Sequence, residues 1–246
     1  MHQGALSEIV AGRIWVTERP VWFSGVRMRA RTSVIRLDDG RLLMHSPAPP
    51  SSGLMKQLAE LGEVSWLVVP NCFHHLGAPA AAAAFPAAKI LAPRSAAARN
   101  PALRIDVDIH EPTFARAVPE FTLFPLEGVP FLDETLLYHR PTETLLGADV
   151  VLRADGTDHW SWRWAARITG CFERVRVPPD VRKKVVDKEA ASRSLRALQA
   201  LAIKRLIVGH GDILEEAPFE RLVEAWRLVG VGSSLVSSVH GNRPQE

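Results

Sequence analysis

The chain is poor in the residues that build covalent or membrane-embedded scaffolds. Its 246 residues include two cysteines, Cys72 and Cys171, which are too few for the disulfide framework of a small secreted domain. No apolar run approaches the roughly 20 residues that a membrane span requires. The first residues, MHQGALSE, lack the basic region and apolar stretch of a secretory signal. We therefore predict a cytoplasmic protein without a membrane partner.

A strong excess of one charge is also missing. Lysine and arginine number 30 against 27 aspartates and glutamates, and no run of five or more basic residues occurs. A net charge of +3 does not favour nucleic-acid binding. Hydrophobic residues at 47% and charged residues at 23% are typical of a globular protein with a substantial core. We expect a small-molecule substrate and no nucleic-acid partner.

The predicted elements change in type along the chain. Strands are predicted at 13–17, 32–37 and 41–45, then helices at 52–61, 77–85 and 96–99 alternate with strands at 64–69 and 89–91. Further strands follow at 120–127, 134–139, 144–151 and 205–208, with helices at 189–202 and 218–228. Two sheets with helices on both outer faces fit this order, as one α/β domain over residues 1–246. Its core covers about 12–228, and the polar tail 232–246 is predicted to be flexible.

Three apolar runs end in side chains that bind metals. The run WLVVPNCFHH ends in His74 and His75, LLGAD ends in Asp149, and LIVGHGD contains His210. The ends of buried strands are where α/β proteins place their chemistry. Imidazoles with a carboxylate suit zinc, iron or manganese, and such a site with an open position activates water. Each segment alone is typical of an ordinary loop, turn or cap, and only their conjunction favours a site.

The order of these segments resembles the metallo-β-lactamase (metallo-hydrolase) superfamily, and more closely its DUF4336 branch. The resemblance covers about residues 12–228. It implies a four-layer αββα sandwich and metal-dependent hydrolysis of a small ester-, lactone- or thioester-like substrate. The matching segments are Arg27-Met28, Val34-Ile35-Arg36-Leu37, His45-Ser46-Pro47, Val69-Pro70-Asn71 with His74-His75, Phe85-Pro86, Ala148-Asp149 and His210-Gly211-Asp212.

The superfamily loop His-x-His-x-Asp-His is incomplete in this chain. The resemblance places His75 on its last histidine, His74 on its aspartate, and Cys72 and Pro70 on its first two histidines. A proline side chain cannot bind a metal. The family has a further histidine in the region that corresponds to residues 126–131. This segment has no histidine, and the nearby carboxylates are Glu127 and, a little later, Glu134. One of the two usual metal sites is therefore largely lost.

Three alternatives remain open at this point. The first is one divalent transition metal, with zinc preferred over iron or manganese, on His74, His75, Asp149 and His210, where His74 and Asp149 are also the catalytic candidates. The second is a remodelled site that recruits Cys72, Glu127 or Glu134. The third is a protein without a metal that binds a ligand or regulates a partner. Iron in the first site would also allow an oxidoreductase.

Two further segments are candidates for the walls of the same site. His45 follows a predicted strand and either lines the cleft or forms a turn. The segment with Trp160, Trp162 and Trp164 places three indoles two residues apart, so they cannot share one helical face. An aromatic lid is one interpretation, and packing against the core or a homodimer contact is the other.

Overall fold

The structure is a computed structural model that describes residues 4–232. Its strands form two sheets. The larger sheet has seven strands in the order β1 to β7, and the smaller has four in the order β11-β10-β9-β8. The strands are β1 Ser7–Val10, β2 Ile14–Phe23, β3 Val26–Arg36, β4 Leu42–His45, β5 Val64–Val68, β6 Lys89–Ala92, β7 Val107–Asp108, β8 Phe121–Pro125, β9 Thr135–His139, β10 Thr144–Leu146 and β11 Arg205–Ile207.

The helices are short and lie between or after these strands. They are α1 Ser52–Leu61, α2 Ala78–Ala84, α3 Arg94–Arg99, α4 Thr113–Ala117, α5 Trp160–Thr169, α6 Pro179–Arg182, α7 Lys188–Leu198 and α8 Pro218–Arg227. Ser51 caps the N-terminus of α1, because its side chain accepts a hydrogen bond from the Leu54 amide. Among residues 4–232, no helix is both long and apolar enough to span a membrane.

Alternating side chains along the strands define four layers. Trp66 and Val68 pack with Leu137 and Ile207 in the core between the two sheets. Leu67, from the opposite face of the same strand, packs instead with α1 and α2. In the second sheet, Leu136, which precedes Leu137 and lies on the opposite face of the strand, packs against α7 and α8. This period of two buries both faces of both sheets, and it confirms the predicted αββα sandwich.

Several predicted boundaries were wrong. The strands predicted at 13–17 and 32–37 are parts of a much longer hairpin, β2 and β3, which turns at Ser24 and Gly25. Both turn residues have positive φ angles, 47° and 80°, as a two-residue hairpin turn requires. The strand predicted at 144–151 ends at Leu146, because the chain then turns away to present Asp149. The predicted flexible tail lies, from residue 233, outside the described residues.

Candidate metal centre

Asn71 shapes the loop that follows β5. Its Oδ1 accepts hydrogen bonds from the amides of Phe73 and His74, each at 2.9 Å, which closes a tight turn. Its Nδ2 donates to Asp149 Oδ2 at 2.8 Å and to Glu134 Oε2 at 3.1 Å. Asn71 was not among the residues predicted for the site. One fully buried amide therefore joins the first candidate loop to the second.

Three of the four predicted ligands meet at one point. His74, Asp149 and His210 each offer one ligand atom, and these atoms all lie within 4.8 Å of one another. His74 Nε2 lies 3.4 Å from Asp149 Oδ2, and His210 Nε2 lies 3.5 Å from Asp149 Oδ1. The two imidazole rings are 5.2 Å apart at an angle of 63°. The ends of β5, β10 and β11 thus bring two imidazoles to opposite oxygens of one carboxylate.

The other nitrogen of each imidazole is already engaged. His210 Nδ1 donates to the carbonyl of Arg29 at 2.7 Å. His74 Nδ1 lies 2.9 Å from the hydroxyl of Ser46. A carbonyl only accepts hydrogen bonds, so neutral His210 carries its proton on Nδ1 and keeps Nε2 bare. Metal-binding histidines are held in this way, with one nitrogen fixed by a neighbour and the other free for the ion.

Burial and charge act against each other at the three groups. Burial lowers the pKa of His74, but Asp149 and Glu134 together raise it more, so its net pKa is above the usual value. The pKa of His210 is lowered because burial outweighs the same carboxylate. Burial alone would raise the pKa of Asp149, but His74, His210 and Asn71 hold it well below its usual range. Asp149 is therefore ionised, as a metal ligand must be.

Glu134 supports the Asp149 loop from behind. Its Oε1 accepts from the amide of Ala148 at 2.7 Å, and its Oε2 accepts from the amide of Asp149 at 2.9 Å. Its own burial and the charge of Asp149 raise the pKa of Glu134 to about 7. Glu134 was a candidate for a remodelled metal site. In the structure it fixes the backbone that carries Asp149, and it lies outside the group of three ligands.

The other candidate residues lie apart from the three. His75 borders the cavity, but its Nδ1 faces Asn100 Nδ2 at 3.3 Å. The buried Cys72 thiol donates to the Phe131 carbonyl at 3.1 Å, and burial raises its pKa. His45 is buried behind Ser46, where burial lowers its pKa to about 3. Glu127 is on the surface, 61% exposed, at 4.0 Å from Arg193.

Position 209, which contacts the His74 imidazole, requires a glycine. A β-carbon at this position would lie 2.4 Å from His74 Cε1 and 3.0 Å from the carbonyl of Ala148. Such contacts are shorter than van der Waals separation, and any larger residue would displace the imidazole. The glycine before His210 in the sequence thus permits close approach of the last candidate loop to the first.

A cavity of about 490 Å³ opens onto these side chains. Its walls are mainly apolar and come from the β2–β3 hairpin, the loop after β5, and α5. Trp162 is 6% exposed and forms part of the wall, whereas Trp160 and Trp164 are 66% and 65% exposed. The three indoles therefore do not share a face, as predicted. Trp162 packs on the hairpin residue Met28 and also borders the cavity.

Solved structures with the same arrangement define the class of fold. A metallo-β-lactamase from Erythrobacter litoralis is 12% identical, with a TM-score of 0.67 over 93% of this chain and 98% of that chain. A metallo-β-lactamase from Pontibacter korlensis is 12% identical, with a TM-score of 0.61 over 91% of this chain and 98% of that chain. FIM-1 from Pseudomonas aeruginosa, in its mono-zinc form, is 11% identical, with a TM-score of 0.63 over 92% and 96%. The chain has the metallo-β-lactamase fold.

Within this fold, the sequence matches one family model. Residues 11–97 match the domain of unknown function DUF4336. The match begins before β2 and ends within α3, so it includes Ser46, Asn71 and His74 but not Asp149 or His210. No curated protein sequence matches the chain. The resemblance inferred from the sequence is thus confirmed.

Proposed function

We propose that the protein is a hydrolase that binds a single zinc ion on His74 Nε2, Asp149 and His210 Nε2. The observation that carries this proposal is that both imidazoles have Nδ1 engaged while Nε2 faces one ionised carboxylate. Two imidazoles and a carboxylate with an open position form a ligand set found in catalytic zinc sites. FIM-1, a metallo-β-lactamase with the same fold, has been solved in a mono-zinc form.

The residues of the chain have distinct roles in this proposal. A bound zinc ion supplies Lewis acidity, which polarises a carbonyl and lowers the pKa of water. Asp149 neutralises part of the positive charge and is fixed by Asn71 and Glu134. The Arg29 carbonyl sets the tautomer and orientation of His210, and the Ser46 hydroxyl holds the orientation of His74. The apolar cavity holds an ester, lactone or thioester next to the three ligands and limits the access of bulk water.

Metal content and hydrolysis together test this proposal. The wild-type protein should bind about one equivalent of zinc, measured by elemental analysis after dialysis, and should hydrolyse nitrophenyl esters or short thioesters. Loss of a residue that only orients a metal ligand reduces metal affinity by about 10–100-fold. We expect His74→Ala/His210→Ala, which removes two ligands, to reduce zinc affinity by more than this and to abolish hydrolysis. The matched control is His75→Ala, which alters the neighbouring position in the same loop.

The outcomes separate the alternatives. If the double variant retains as much zinc as the wild type, the proposed site is wrong. If the wild type binds no metal and shows no hydrolysis, a binding or regulatory role is favoured. One equivalent of iron in the protein as isolated would favour the oxidoreductase. If His75→Ala loses zinc, His75 is a ligand, as the sequence predicts.

A second candidate function follows from Ser46. Its Oγ is 2.9 Å from His74 Nδ1, and His74 Nε2 is 3.4 Å from Asp149 Oδ2. This is the order of a Ser-His-Asp array, in which the serine attacks a carbonyl and the imidazole takes its proton. Ser46 also has a positive φ of 55°, a conformation that is uncommon for serine and recurs at active sites.

Ser46→Ala distinguishes the two candidates. For a zinc hydrolase, loss of this outer partner should reduce zinc affinity by about 10–100-fold, and added zinc should restore hydrolysis. For a serine hydrolase, hydrolysis should survive chelation of metals in the wild type and fall by about three orders of magnitude or more in the variant. A sulfonyl fluoride would then label Ser46, which mass spectrometry detects.

A further inference from the structure

The cavity contains an arginine, Arg19, that has no partner in the part of the chain that the structure describes. Arg19 lies on β2 opposite Ala30 of β3, and its side chain borders the cavity together with His74 and Ser46. It is partly buried. Within residues 4–232, its guanidinium makes no ion pair and no hydrogen bond. Arg31, the other arginine that borders the cavity, is paired with Glu18 and is occupied.

Apolar side chains continue from Arg19 along the same face of the hairpin. Residues 19, 21 and 23 of β2 alternate onto the cavity face, and Val21 and Phe23 pair across the hairpin with Met28 and Val26. The four residue steps from Arg19 to Phe23 along the strand cover about 13 Å. Trp162 and Leu152 complete this apolar wall. A partly desolvated cation thus lies at one end of an apolar surface that borders the candidate metal centre.

We infer that the substrate is an apolar acyl compound that also carries an anionic group, and that Arg19 binds this group. This inference rests on the proposed hydrolase and names its class of substrate. A guanidinium presents several donors that match the two oxygens of a carboxylate or of a phosphate, and the partial burial of Arg19 strengthens such a bond. The apolar body lies along Val21, Met28 and Phe23, and the acyl bond reaches the metal centre.

The two carboxylates of the cavity do not neutralise Arg19. Asp149 is held by Asn71 and by the two histidines. Asp180 lies in the first turn of α6 and accepts a hydrogen bond from the Val181 amide. Burial lowers the pKa of the Arg19 guanidinium, as expected for a cation that has lost water without gaining a counter-ion. An anionic ligand would supply that counter-ion.

Binding of simple amphiphiles tests the inference without relying on hydrolysis. We would titrate octanoate, octyl phosphate, neutral octanamide and short acetate into the full chain, both zinc-free and zinc-loaded, and follow binding by calorimetry. We expect octanoate or octyl phosphate to bind at least about tenfold more tightly than octanamide, because a charge-assisted pair is added. Acetate should bind far more weakly, since it lacks the apolar part. The tighter of the two anions identifies the charged group.

Variants assign the effect to Arg19. Arg19→Gln should reduce the affinity for the anion about tenfold, to the level of octanamide, and Arg19→Lys should retain part of it. The matched control is Arg27→Gln, which removes an arginine of the same hairpin that does not border the cavity. Equal affinities for octanoate, octyl phosphate and octanamide in the wild type would overturn the inference, as would an unchanged Arg19→Gln. Both results are independent of zinc, so they do not depend on the proposed hydrolase.

Discussion

Zinc at 100 times its dissociation constant is expected to raise the free energy of unfolding of the wild-type protein by about 2.7 kcal/mol and to leave that of Asp149→Asn unchanged. The amide has nearly the shape of the carboxylate, so the contact with Asn71 can persist. It lacks the negative charge that faces both imidazoles, at 3.4 Å and 3.5 Å. A zinc ion would then meet two neutral nitrogens and no anion.

The measurement is thermal unfolding with and without zinc. For a chain of this size, 1 kcal/mol shifts the melting temperature by roughly 2–4 °C, so zinc should raise that of the wild type by about 5–10 °C. Asp180→Asn is the control, because it removes the other carboxylate of the cavity, which lies outside the ligand group. A similar zinc-induced shift in Asp149→Asn would show that the ion binds elsewhere.

The loops of the site can be predicted from the sequence, but the orientation of their side chains cannot. Apolar runs that end in polar residues predict strand ends, and the ends of β5, β10 and β11 do meet at one edge. The adjacent pair His74-His75 is different. The turn closed by Asn71 aims one imidazole at Asp149, while the next faces Asn100. Such a choice depends on hydrogen bonds across the fold, which the spacing of residues does not contain.

The wall of the cavity could not be predicted from the sequence for a related reason. The predicted strand ends at residue 17, and residues 18–20 read Glu-Arg-Pro, a polar segment with a proline that is unusual within a strand. In the structure, β2 continues to Phe23 because its long antiparallel pairing with β3 outweighs this local preference. The sequence shows Arg19 and Arg31 as similar basic residues. Only the structure shows that Arg31 has a partner and that Arg19 has none within residues 4–232.

Arg31→Met is expected to lower the free energy of unfolding by about 3–5 kcal/mol, because Arg31 joins β3 to the loop that carries His210. Its Nη1 donates to the carbonyl of Val208 at 2.8 Å, and its Nη2 donates to the carbonyl of Gly211 and to Glu18, each at 2.5 Å. The side chain is 6% exposed, so water cannot replace these bonds. Methionine fills the volume but leaves two buried carbonyls without this donor.

Urea unfolding measures this loss, and Arg13→Met provides the comparison. Arg13 pairs with Asp38 on the surface, where the side chains are 37% and 61% exposed, so its loss should cost less than about 1 kcal/mol. Arg31→Lys should be intermediate, since one ammonium cannot reproduce the forked contacts. If Arg31→Met unfolds like Arg13→Met, the arginine does not hold the loop. If Arg31→Met is destabilised as expected, its zinc affinity should also fall. The His210 loop would then be held against β3 without the guanidinium, by the Arg31 amide at 2.8 Å from the Gly209 carbonyl and by the His210 bond to the Arg29 carbonyl.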